Sequence, residues 1–140
     1  MAIIDTHTRN ELDCPTAARL LDIAVDNEDI SAFFRHFGWK KIAVCGMSRF
    51  CKVFIKLMKD TDIEIEYIFD KNHKNFPDGE YMGISVMGYS DIDKVGLPDM
   101  IVIASNYYND IVDELVENNV PLEKILNIND VIFGMERIQI

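Results

Sequence analysis

Lys41-Ile42-Ala43-Val44-Cys45-Gly46 decides the fold. An uninterrupted apolar run of this length reads as a strand covered on both faces, and the glycine ends it in a tight turn. Phe50, Val53, Phe54, Leu57 and Met58 follow at helical spacing. A second strand is expected over Ile63-Glu64-Ile65-Glu66-Tyr67-Ile68-Phe69, ending at Asp70. A polar loop with Pro77, Gly79 and Gly83 leads to a weaker strand from Ile84 to Met87, and Ser90 is placed to cap a single helical turn before Gly96. Met100-Ile101-Val102-Ile103-Ala104 is a further buried strand. A helix with Ile111, Val112, Leu115 and Val116 inward follows it, and Lys124 to Ile128 is the last short strand. Strands separated by helices pair in parallel, and right-handed crossovers wind them into a sheet covered on both faces. The expected fold is therefore α/β, a doubly wound and mainly parallel sheet of about five strands over residues 40–140.

Upstream, residues 1–39 form an N-terminal helical appendage of two helices. Pro15 opens the first, in which Ala17, Leu20, Leu21 and Ala24 recur. Asp26-Asn27-Glu28-Asp29 breaks the pattern and supplies acids for the second, whose stripe is Ile30, Phe33, Phe34 and Phe37 before Gly38. At the other end, Val131-Ile132-Phe133 and Ile138-Gln139-Ile140 form an apolar tail suited to a second copy or another partner.

Composition removes several function classes. Among 140 residues, 24 Asp and Glu outweigh 14 Lys and Arg, a formal charge of −10. Nucleic-acid backbones and anionic membranes both require basic faces, so neither is the partner. The longest aliphatic run, Met100 to Ala104, is far below the ~20 residues of a membrane span. No signal peptide is visible at the start, and Cys14, Cys45 and Cys51 lack both C-x-x-C and metal spacing. A soluble cytoplasmic protein without disulfides is the expectation. Asp5-Thr6-His7-Thr8-Arg9 lacks the second histidine of a D-x-H-x-H metal motif, and neither His36 nor His73 has a partner at metal spacing.

In doubly wound sheets, ligands bind beyond the carboxyl ends of the strands, where the winding reverses. That rule draws together three distant segments. Gly46-Met47-Ser48-Arg49-Phe50-Cys51 occupies the place of a G-x-G-x-x-G fingerprint and keeps only its first glycine. Ser48 and the helix-start N–H groups are candidates to hold phosphate, with Arg49 adding charge; alternatively Gly46 only makes the turn and Arg49 is solvated. Asp70, 24 residues after Gly46, stands where an acid accepts from ribose hydroxyls, and Lys71 beside it is a phosphate candidate. Ser105 and Asn106 are helix-cap or ligand candidates, while Tyr107 and Tyr108 offer flat faces for a base or sugar. The acids Asp110, Asp113, Glu114 and Glu117 read as a solvated face.

From Lys40 to Phe133 the chain resembles small Rossmann-like nucleotide-binding domains of bacterial surface-polysaccharide and sugar-nucleotide metabolism. Such domains are attached to sugar acyltransferases, glycosyltransferases and sugar methyltransferases. The residues that carry the resemblance are the run Lys41 to Gly46, then Ile65-Glu66-Tyr67-Ile68-Phe69-Asp70-Lys71, Gly83 to Val86, Met100 to Ser105, and Pro121 to Ile125. Gly46 and Asp70 match that family's pattern, whereas Met47, Ser48 and Cys51 depart from its usual G-A-G-x-x-G. The resemblance implies an accessory, non-catalytic domain that binds a nucleotide or nucleotide-sugar in cell-surface carbohydrate biosynthesis, alone, as a homo-oligomer, or with an enzyme of that synthesis. Two alternatives stand beside it: a minimal NAD(P)-dependent oxidoreductase, and an interaction or oligomerisation module with a vestigial nucleotide site.

Overall fold

Alternate residues of the central strand face different helices, and that division organises the molecule. The structure, a computed structural model, describes residues 15–138. A helix over residues 15–25 (α1) precedes α2, Ser31–His36. The sheet then begins with β1, Lys41–Cys45, followed by α3, Arg49–Met58, and β2, Glu64–Phe69. A hairpin of β3, Glu80–Tyr81, and β4, Ile84–Met87, leads to the short α4, Ile92–Val95. The chain closes with β5, Met100–Ile103, α5, Tyr108–Glu117, β6, Ile125–Asn127, and α6, Ile128–Ile138.

The six strands lie in the order β3-β4-β2-β1-β5-β6, with every pairing parallel except the β3–β4 hairpin. The expected strands are thus present in a mixed α/β fold. Glu80–Tyr81 is the additional one, a two-residue edge strand too short to show alternation. The motif Asp5 to Arg9 and Cys14 lie outside the described residues.

Ile42 and Val44 of β1, with Met100 and Val102 of β5, point into one core shared with Phe54 of α3 and Ile132 of α6. Ala43, Cys45, Ile101 and Ile103 point the other way, into a core closed by Ile92 of α4 and by Ile111 and Leu115 of α5. This period of two, with apolar residues on both sides, is why the two strands read as continuous apolar runs.

The two N-terminal helices belong to the first core. Leu20, Ile23, Ile30 and Phe34 are all buried in it, and the Phe34 ring lies 6.2 Å from that of Phe54. Arg19 clamps α1 to the following turn by donating to both carboxylate oxygens of Glu28, at 2.6 and 2.9 Å. Of the apolar tail expected to seek an outside partner, Val131 and Ile132 are helical and buried within the chain, whereas Phe133 is 40% exposed and Gln139 and Ile140 lie outside the described residues. Gly134 allows that packing, because a Cβ there would lie 2.7 Å from the Phe33 ring.

Candidate functional site

Register brings three strand ends level. Cys45 pairs with Phe69 on one side and with Ile103 on the other. Gly46 and Asp70, each directly after its strand, and Ser105, two residues past Ile103, therefore emerge together where the winding reverses between β1 and β5. They line one side of a cleft of about 650 Å³, whose other walls include Lys71, Tyr89, Tyr107 and the acidic face of α5.

Gly46 makes the turn at φ +79°, in the left-handed region. Its missing side chain matters as much as its torsion: a Cβ would stand 2.9 Å from Ser105 Cβ and 3.0 Å from Ile111 Cδ1. Ser48 then caps α3 from an extended conformation, its Oγ accepting from the Cys51 N–H at 3.2 Å. The same hydroxyl donates to the Ala104 carbonyl, tying the first turn to the end of β5.

Asp70 is only 9% exposed. Its Oδ2 accepts from the Met47 N–H at 2.8 Å and its Oδ1 from the Asn72 N–H at 2.7 Å. The carboxylate thus holds both turns in place while lining the cleft. Each oxygen has two lone pairs, so acceptor capacity remains for a ligand.

Ser105 does not cap α5. That helix begins at Tyr108, and Ser105 Oγ accepts from the Tyr107 N–H at 3.1 Å in the turn before it. Tyr107, 59% exposed, forms an open wall. Of the other residues expected at the site, Lys71 lies exposed on the rim, whereas Arg49 and Asn106 are exposed and outside the cleft lining.

Two features of the cleft escaped sequence reading. Tyr89 contributes from the segment after β4, which only the sheet order brings near Gly46. Burial, reinforced by the neighbouring Cys45 and Asp70, pushes its phenol up and keeps it protonated. The acids Asp110, Asp113, Glu114 and Glu117 are exposed, as a solvated face should be, yet the same face forms a cleft wall. Cys51 lies in the first turn of α3, where a helix N-terminus favours thiolate, but burial wins and pushes the thiol up to about 12. Cys45 is fully buried and shifted the same way. Both are therefore thiols at neutral pH. Among the described residues, no group of His, Cys, Asp or Glu is placed to hold a metal ion, and no helix is long and apolar enough to cross a membrane.

Fold and site together define a mixed α/β protein with a strand-end cleft at the reversal of its winding. The chain belongs to the C2185-like, N-terminal family, whose model matches residues 38–126, from just before β1 into β6. Helices α1, α2 and α6 lie outside that match. No curated protein matches the chain significantly.

Proposed function

We propose that this chain is a Rossmann-like binding domain for a nucleotide or nucleotide-sugar, accessory and non-catalytic, acting in the cytoplasm in cell-surface carbohydrate biosynthesis. In this reading α1 and α2 are an addition to the Rossmann-like frame. One observation carries the proposal: Gly46, Asp70 and Ser105 meet at level strand ends around a cleft of about 650 Å³, a size suited to a small molecule. Asp70 accepts from ribose or sugar hydroxyls, and the exposed Tyr107 ring covers a base or sugar face.

The accessory role is supported by how the polar groups are engaged. Ser48, Asp70 and Ser105 each hold a neighbouring turn, and both described cysteines are protonated. A thermal-shift screen of the purified protein against nucleosides, nucleotides, nucleotide-sugars and NAD(P)(H) tests the reading. A ligand present at 100 times its Kd adds about 2.7 kcal/mol of stability. The expected hit loses its effect in Tyr107→Ala, whose exposed position leaves the fold intact; a flat response to every compound overturns the proposal.

The interaction-module alternative is favoured by a different observation. Phe37 is half exposed and stacks on Trp39 at 4.7 Å, forming an aromatic surface between α2 and β1.

A further inference from the structure

The strand-to-helix turn at Gly46 has the position of a phosphate seat, but the donors nearest the glycine are already engaged. Such a seat works because N–H groups at the turn point outward and a second glycine lets the anion approach bare backbone. Here the Met47 N–H is bonded to Asp70 Oδ2 at 2.8 Å and the Ser48 N–H to the Gly46 carbonyl at 2.6 Å. The Cys51 N–H is bonded to Ser48 Oγ, and the hydroxyl proton of Ser48 goes to Ala104. Asp70 is thus an internal anion already seated at the turn. Space is missing as well, since Ser105 stands so close over Gly46 that even a methyl group would meet it at 2.9 Å. The facing wall adds Asp110, Asp113, Glu114 and Glu117 against Lys71 on the rim. In a partly desolvated cleft those charges disfavour a polyanion and favour groups that donate hydrogen bonds.

We infer that the cleft selects a nucleoside-bearing ligand with at most one phosphate, recognised through its hydroxyls, and discriminates against diphosphates, including NAD(P) and diphosphate-linked sugars. This rests on the proposed nucleotide-type reading and narrows it; a sugar linked through a single phosphate stays within the class.

Calorimetric titration of the four common nucleosides with their mono- and diphosphates, at low and high salt, tests the inference. For the base that binds, the diphosphate should be weaker than the nucleoside by about tenfold at low salt, and the gap should narrow at high salt as the carboxylates are screened. The double variant Asp113→Asn, Glu117→Gln alters only exposed side chains. It should narrow the gap between diphosphate and nucleoside by about fivefold, as expected for two surface charges. A diphosphate that binds more tightly than its nucleoside overturns the inference and leaves the cleft as a nucleotide site. Absence of binding across the whole series overturns the nucleotide reading itself, and the inference with it.

Discussion

Replacing Ser48 by alanine removes two hydrogen bonds from one atom. The first is the cap on α3, received from the Cys51 N–H; losing such a cap costs about 1 kcal/mol. The second is the bond to the carbonyl of Ala104, a fully buried residue at the end of β5. A carbonyl left without its partner there costs about 1 kcal/mol more. Ser48→Ala should therefore lose about 2 kcal/mol, a fall of roughly 8 °C in Tm for a chain of this size. Urea denaturation is the appropriate assay, with the midpoint lowered and the slope unchanged. Ser48→Gly separates the two terms. Glycine is a tolerable cap that costs only a few tenths of a kcal/mol, so this variant should lose about two thirds as much as Ser48→Ala. If Ser48→Ala stays within about 0.5 kcal/mol of the parent, the link between the first turn and β5 does not hold the cleft together. The same conclusion follows if Ser48→Gly, which keeps a tolerable cap but loses the Ala104 bond, is as stable as the parent.

Gly46→Ala meets both a positive φ and a contact at 2.9 Å, so a loss of about 3 kcal/mol is expected in the same assay. Phe34→Ala should cost about 4 kcal/mol, because the ring is wholly buried between α2 and α3. Phe37→Ala, at a half-exposed ring, should cost under about 1 kcal/mol; near-equal values would deny that α2 belongs to the sheet's core. Asp99 accepts from the Lys40 and Lys41 N–H groups at 2.8 and 3.0 Å, and these bonds hold its carboxyl below the usual aspartate range. A depressed carboxyl stabilises the fold at pH values above about 4, and that contribution disappears as pH falls through the folded-state value. Asp99→Asn should accordingly flatten the acid limb of the stability profile, with a loss below about 1 kcal/mol at neutral pH for so exposed a group. An unchanged acid limb would contradict that assignment.

The strands and helices from Lys41 to Ile128 were legible because burial on two faces leaves a plain pattern, an apolar run closed by Gly46 or by Ser105. The edge strand Glu80–Tyr81 left no such pattern, since two residues cannot establish a period. Val131 and Ile132 were recognisable as apolar but not as helical core, because Phe33 and Leu20, which share that core, lie at the far end of the sequence. At the site, Gly46 and Asp70 were legible from their offset alone. What they do was not. The bond from Met47 to Asp70 depends on the register of β1 against β2, and the Ser48 bridge depends on β5 lying beside β1. Both relations arise only in the assembled sheet. The state of Cys51 shows the same limit, because the helix N-terminus and burial act on its thiol in opposite directions and only the assembled fold shows that burial wins.

The central claim is that the strand-end cleft binds a small ligand, and amide chemical-shift mapping tests it most directly. The isotope-labelled protein would be titrated with the tightest compound from the thermal-shift screen. The account predicts that perturbed amides concentrate at Gly46 to Ser48, Asp70 to Asn72 and Ser105 to Tyr107, three segments joined only by the register of β1, β2 and β5. Perturbations centred instead on Phe37 and Trp39, or scattered without relation to the strand ends, would contradict it.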